Sequence, residues 1–437
     1  MRRTGDIVCK FGGSSVAEAR QIRKVEAIVR SDPHRRYIVV SAPGKRNPDD
    51  QKITDLLYTC QSLAAEGKSY EQPFEVISNR YLQIDRELEA GSEIHSWLEE
   101  LHGQLAAGAS ADLAASRGEY LCARLLAAYL KTTFVDAADI IQLDRHDMVA
   151  ESGYRRISER LKGPGLYVIP GFYGSDSKGQ IRTFSRGGSD ITGALVARAV
   201  HAREYENWTD VPGLLKADPR IVRDPGPMTE VTYREIRELA FMGAKVLHEE
   251  AILPVYDREI PIHIRNTDQP EDPGTTILGE RNTEDHPIAG VAGREGLGIL
   301  YLEKFLLRKD PQHRLKVLGI LGRHGVDLEW ERTGIDSLFL LVPGKQLEQV
   351  RDRVMRAIEE EFAPDHLEIA ENMAAIAVVG EGLANRTDIT VSVLQRLNQK
   401  GIRVRLIDQG SSRISVLFVV PAEDFNKAVT AAHRVID

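Results

Sequence analysis

Residues 10–15 read Lys-Phe-Gly-Gly-Ser-Ser and follow the apolar run Ile7-Val8-Cys9, so a strand ends in a cation, two glycines and two hydroxyls. Such a turn is suited to gripping phosphate. Glycine lacks a Cβ, so backbone amides come close to a ligand, and the lysine adds a mobile positive charge. A strand-to-helix turn also needs glycine for its geometry alone, so the reading depends on what accompanies it along the chain.

Three further segments supply that company. Thr183 to Asp190 reads TFSRGGSD, which puts Arg186, Gly187, Gly188, Ser189 and Asp190 just before a helix whose apolar residues begin at Ile191. The free amides and positive dipole end of a helix N-terminus would hold a carboxylate or phosphate there, although a Ser/Asp cap after a flexible turn reads the same way. Residues 205–222, YENWTDVPGLLKADPRIV, deliver Thr209 and Asp210 to the end of an apolar strand, with a Pro212-Gly213 turn and Arg220 after Asp218-Pro219. Ligands of open α/β sheets bind at such strand ends, so a nucleotide pocket is expected here. MGAKVLH at 242–248 offers Lys245 at an expected helix start, near phosphate or adenine.

Around these loops strands and helices alternate. A helix over 17–30 would carry Ile22, Val25, Ile28 and Val29 on one stripe, followed by the strand Tyr37 to Val40. A largely helical stretch runs from 52 to 130, with Leu121, Leu125, Leu126, Tyr129 and Leu130 on one face, and strands follow at 166–170, 204–209 and 260–264. Alternation of this kind predicts an α/β sandwich with a mainly parallel sheet. Near 270–297 the chain turns rich in Pro, Gly and charge, which marks the exit from a first domain. An internal repeat comes next: residues 320–354 resemble residues 396–432. Each copy has a helix end, a glycine (Gly325 or Gly401), a strand, a turn, a second strand ending Val-Pro, and another helix. Duplicated ferredoxin-like βαββαβ units are indicated.

The 437 residues call for two or three domains. A net charge of -8 argues against a nucleic-acid or anionic-membrane surface as the main partner. Cys9, Cys60 and Cys122 lie in apolar segments with no paired spacing, which fits inert thiols in a reducing cytoplasm. The start MRRTGDIVCK has no apolar leader core and no run reaches eighteen apolar residues, so neither export nor membrane spanning is expected. Twelve histidines form no HExxH motif, and no residue is assigned as a metal ligand.

Taken in order, KFGGSS, VVSAPGKR (39–46), RGEYLCA (117–123), PGFYGS (170–175), FSRGGSDITGA (184–194), NWTDVPGLLKADPRIV (207–222) and GAKVLH (243–248), with the duplicated tail, resemble the monofunctional aspartokinases. These are members of the amino acid kinase family with two ACT domains. The likeness spans essentially the whole chain, and SAPGKR and the tail most resemble the lysine-sensitive type of Gram-positive bacteria.

The resemblance implies an amino acid kinase domain at 1–285, then an outer ACT domain of 297–304 plus 373–437 and an inserted one at 305–372. It implies transfer of the ATP γ-phosphate to L-aspartate with Mg²⁺, the first step toward lysine, threonine and methionine. It also implies feedback by an amino acid and a homodimer or homotetramer. Residue by residue, Lys10, Gly12, Gly13 and Ser14 would bind the phosphates, with Ser41 nearby. Thr209, Asp210, Arg220, Lys245 and Val246 would surround the nucleotide, and Leu215 stands where the family usually has a Tyr. Thr54, Glu119, Arg186, Gly187, Gly188 and Ser189 would meet aspartate, Arg186 at a carboxylate and Glu119 at the α-ammonium, while Asp190 would orient Lys10 and help arrange magnesium. At 306–315 this chain has LLRKDPQHRL in place of a small effector loop, so the effector stays open. A kinase for another carboxylate, or an amino-acid sensor without catalysis, are the alternatives.

Overall fold

Every residue of Ile7-Val8-Cys9-Lys10-Phe11 is buried, as a strand covered on both faces requires. The computed structural model describes residues 5–144, 148–184, 187–244, 249–410 and 412–436. The chain divides into two compact units, Met1–Leu214 with Pro227–Tyr233 and Val246–Arg281, and Leu215–Gly226 with Arg234–Lys245 and Asn282–Asp437.

The first unit is built on β1 (Ile7–Phe11), β2 (Arg35–Val40), β3 (Thr133–Phe134), β4 (Tyr167–Pro170), β5 (Tyr173–Ser175), β6 (Ile181–Thr183), β7 (Glu204–Thr209), β8 (Glu230–Thr232), β9 (Ile262–Asn266) and β10 (Thr275–Leu278). Eight of these form one sheet in the order β3-β4-β2-β1-β7-β9-β10-β8, in which only β9 and β10 run antiparallel. The remaining two, β5 and β6, make a small hairpin.

Alternation along β1 sorts its side chains between two layers. Ile7, Cys9 and Phe11 join a core with the helix Ala19–Ser31, whose expected stripe of Ile22, Val25, Ile28 and Val29 is buried. The helical stretch from 52 to 130 resolves into four helices, Ile53–Ala65, Glu71–Leu88, Ile94–Ala106 and Ala111–Leu130, which share that core. Against β1 and β2 also packs the helix Gly188–Ala199. Asp190 in its first turn meets Lys10, so Lys10 points to the layer opposite Cys9.

The second unit is one antiparallel sheet of β11 (Gly290–Glu303), β12 (Trp330–Thr333), β13 (Ser337–Pro343), β14 (His366–Val379), β15 (Leu406–Gln409) and β16 (Ser415–Pro421), ordered β12-β13-β11-β14-β16-β15. The repeat is visible in it. The helices Gln312–Arg323 and Gly344–Phe362 close one core over Leu300, Leu340 and Val342, and Thr387–Gln399 and Phe425–His433 close another over Ile376, Phe418 and Val420. Gly325 and Gly401 both follow a helix with left-handed φ of 71° and 68°.

The long strands β11 and β14 serve both cores. Residues 290–294 pair with 375–379, and after an irregularity 299–303 pair with 366–370. The expected pairing of 297–304 with 373–437 is therefore met only at Leu297 and Met373, and 290–294 is the strand that runs beside 375–379. The cause is that β11 is a single strand of 14 residues, which the Gly-rich sequence GVAGREGLG disguises. Within the second unit Ala217 and Val222 fill the core of the second repeat, and Val291 donates its N–H to the Lys216 carbonyl at 2.7 Å. By contact, then, 215–226 and 234–245 group with 282–437 rather than with the rest of 1–285. Among the described residues no helix is long and apolar enough to cross a membrane.

Candidate active site

Lys10, the last but one residue of β1, is 8% exposed, and its Nζ lies 2.6 Å from Asp190 Oδ1. Chain order alone separates these groups by 180 positions; the parallel sheet brings them together by setting β1 beside β7 and the helix Gly188–Ala199 across both. That helix begins after Gly187, whose φ of 60° is a left-handed turn that costs glycine little. Asp190 N–H donates to the Gly187 carbonyl at 2.9 Å, and the Tyr205 hydroxyl donates to the Asp190 carbonyl at 3.1 Å. A carboxylate in the first helical turn is where the dipole favours negative charge.

Beyond β1 the Gly12 N–H donates to the Trp208 carbonyl at 3.0 Å, and Gly13–Val16 forms one short helical turn holding Ser14. The loop after β2 locks onto it. Ser41 N–H donates to the Phe11 carbonyl at 3.1 Å and Gly44 N–H to the Gly13 carbonyl at 2.8 Å. A Cβ on Gly44 would stand 2.7 Å from the Gly13 carbonyl carbon, so a side chain there would force the two loops apart. From behind, Arg80 Nη1 donates to the Gly44 carbonyl at 3.0 Å and Nη2 meets Asp50 at 2.5 Å. Burial opposes ionisation of Asp50, yet Arg46 and Arg80 hold its carboxyl well below the usual carboxylate range. At the end of β7, Thr209 donates its hydroxyl to Asp210 at 3.2 Å, and its carbonyl accepts from Thr267 N–H at 2.8 Å. Gly12 is thus flanked by the residues expected to approach a nucleotide.

Glu119 is buried on the helix Ala111–Leu130. It is 5% exposed, and among the described residues its Oε2 has no hydrogen-bond partner. Burial pushes its carboxyl up to about 8, opposed in part by the N–H groups of Ala42 and Glu119 itself. The preceding Gly118 leaves no room for a Cβ, which would lie 2.8 Å from Ala42 Cβ and 3.5 Å from Ile53 Cγ2. Glu119 therefore sits beneath the Ser41 to Gly44 loop, beside the helix start that carries Thr54. A buried carboxyl with an unspent acceptor is a ready seat for a cation.

Of the residues expected from sequence, the structure gathers Lys10, Gly12, Gly13, Ser41, Thr209 and Asp190 at the carboxyl ends of β1, β2 and β7, with Gly187, Gly188 and Ser189 leading into the helix. Arg186, Lys245 and Val246 lie outside the described residues. Leu215 and Arg220 belong to the second unit, where the Arg220 guanidinium is exposed and pairs with Asp218 at 2.5 Å. The sequence reading missed Arg80 and Asn207. A charged residue inside the Phe74, Ile77, Tyr81, Ile84 stripe, and an amide inside a central strand, were the available signals.

Comparison with known proteins bears on the fold and the family. Residues 7–266 match the model of the amino acid kinase family and residues 376–436 that of an ACT domain. Aspartokinase 3 of Bacillus subtilis is 34% identical over 443 residues, covering 98% of each chain. The crystal structure of the Clostridium acetobutylicum aspartate kinase, described as an allosteric enzyme, superposes with a TM-score of 0.93 at 44% identity, over 99% of this chain and 100% of that one. Escherichia coli aspartokinase III, solved with aspartate and ADP, gives a TM-score of 0.72 at 27% identity, over 98% of this chain and 99% of that one. This chain belongs to the amino acid kinase family and stands among its aspartokinases.

Proposed function

We propose that this chain phosphorylates the side-chain carboxylate of L-aspartate with ATP, giving 4-phospho-L-aspartate and ADP. The observation that carries the proposal is the Lys10 ammonium, fixed at 2.6 Å from Asp190 beside a double-glycine turn that is itself clamped from behind. A carboxylate nucleophile is ionised at neutral pH and needs no base. Its oxygen forms a bond to the γ-phosphorus as the bond to the bridging β-oxygen breaks, and no proton changes hands. The barrier is repulsion between two anions, so catalysis reduces to positioning and charge neutralisation. Lys10 and the amides of the Gly12, Gly13, Ser14 turn, with Ser41 beside them, take the terminal phosphates. Thr209 and Asp210 flank the nucleotide.

The acceptor amino acid lies between Glu119, Thr54 and the loop that enters the helix Gly188–Ala199. Glu119 offers its unspent oxygen to the α-ammonium, and the binding of a carboxylate is assigned to Arg186 with Gly187, Gly188 and Ser189. A divalent cation, taken here as Mg²⁺, neutralises charge on the phosphates when bound. Asp190 suits such a hard cation: the bonds its carboxylate receives fall on Oδ1, and among the described residues Oδ2 accepts none. The two βαββαβ halves of the second unit would bind an amino-acid effector and join subunits into a dimer or tetramer, in a cytoplasmic enzyme.

Purified protein with MgATP and aspartate should release ADP and yield a hydroxamate when hydroxylamine is present. Hydroxamate from glutamate but not aspartate would reassign the acceptor. Amino-acid binding with no affinity for MgATP would make the chain a sensor.

A further inference from the structure

Strand β7 grips Asp190 twice. Residues 205 and 207 alternate onto the same side of the strand, and while the Tyr205 hydroxyl holds the Asp190 main chain, Asn207 Nδ2 donates to Asp190 Oδ1 at 3.0 Å. Gly193 makes the first grip feasible, because a Cβ there would stand 2.6 Å from the Tyr205 ring and hydroxyl. Asn207 is also the direct β-partner of Lys10, and its Oδ1 accepts from Lys10 Nζ at 3.4 Å. The amide therefore bridges the two members of the ion pair, its carbonyl end toward the ammonium and its N–H end toward the carboxylate. Only that orientation satisfies both neighbours.

An asparagine 5% exposed in a central strand is costly unless its polar ends are spent, and here both are spent on Lys10 and Asp190. The bond to Lys10 is long, so Asn207 works mainly by holding Asp190. Two acceptors on one side of the ammonium orient its remaining N–H away from them, toward the turn at Gly12, where a Cβ would stand 3.5 Å from Nζ. We infer that Asn207 is a positioning residue that sets the direction of the Lys10 ammonium toward the transferring phosphoryl group. This rests on the reading of Lys10 as the phosphate-binding cation.

The test uses the full chain. Asn207→Leu removes both bonds at similar volume, and kcat should fall about ten- to hundredfold while KM for aspartate stays within about threefold, since orientation matters more in the transition state than in the ground state. Asn207→Asp supplies a readout that mere loss of packing would not move. It keeps the volume and the acceptor toward Lys10 but offers Asp190 a second carboxylate in place of an N–H, so at neutral pH its kcat should also fall at least about tenfold with KM for aspartate within about threefold, whereas a packing role would leave this isosteric variant like the parent. A parent-like kcat in Asn207→Leu or in Asn207→Asp overturns the inference alone. A parent enzyme that phosphorylates no carboxylate overturns the functional reading and this inference with it. Should Asn207→Leu lack a thermal transition, the kcat of Asn207→Asp decides.

Discussion

Two glutamates of the first unit are almost equally hidden and have opposite fates. Glu206, 2% exposed, has Arg35 bound at 2.8 and 3.0 Å, Arg265 at 3.2 Å, the Trp208 indole N–H at 2.9 Å and the Cys9 thiol at 3.2 Å. Burial favours its neutral form, but those donors outweigh burial and lower its pKa. Glu119 has two backbone donors, one oxygen without a partner among the described residues, and a pKa pushed up to about 8. A buried charge whose bonds are complete is part of the scaffold; one whose bonds are incomplete awaits a partner.

The contrast is broken most forcefully at Glu206. Glu206→Ala leaves Arg35 buried without its counter-charge, and a loss of about 3–5 kcal/mol in unfolding free energy is expected from denaturant titration. Lys10 and Asn207 suffer as well, because Cys9 and Glu206 pair across β1 and β7 one residue before them and the network fixes that register. Stability within about 0.5 kcal/mol of the parent would show that Glu206 is no scaffold charge.

Lys10→Ala sharpens the comparison from the other side. It removes an electrostatic donor from the proposed transition state, and kcat/KM should fall by more than about 3 kcal/mol, while the thermal midpoint moves little. Asp190, with 19% of its side chain exposed, keeps water and Asn207 as partners when the lysine goes. Turnover unaltered by the substitution would remove Lys10 from the mechanism.

A smaller effect is expected at Gly44. Gly44→Ala would place a methyl group 2.7 Å from the Gly13 backbone, and separating the two loops should raise KM for MgATP about tenfold, measured at saturating aspartate. An unchanged KM would mean that the clamp from Arg80 through Gly44 to Gly13 does not shape the phosphate turn.

What the sequence revealed follows the same division between complete and incomplete bonding. The loops proposed to bind anions stood out because Gly-Gly, Lys and Ser/Asp at a strand end or helix start have few uses, and the repeat was legible because both copies keep Gly and Val-Pro at matching places. Arg80 and Asn207 were hidden because their partners, Gly44 and Asp190, are distant in sequence and are brought near only by tertiary packing. Strands β3, β6 and β8, two or three residues long, carry no periodicity of their own and are defined by the neighbours that pair with them. The extent of β11 is hidden for a similar reason, since its glycines argue locally for a turn while pairing with β14 keeps the strand running.

The subtlest prediction concerns the proton on Glu119. In the folded, ligand-free chain this carboxyl keeps its proton to about pH 8, against an ordinary value of 4.5. A raised folded pKa means that its contribution to stability is whole below about pH 4.5 and is drawn down as pH climbs toward 8. Glu119→Gln cannot titrate, so its thermal midpoint should match the parent near pH 4.5, exceed it increasingly toward pH 8, and hold a constant lead beyond. Aspartate should erase part of that lead by bringing an ammonium to the ionised carboxylate of the parent, and at pH 7 its binding should release a proton, seen as a dependence of calorimetric heat on the buffer's ionisation enthalpy. A midpoint difference that does not change with pH, together with aspartate binding that exchanges no proton, would place Glu119 in the same class as Glu206, a charge whose bonds are already complete.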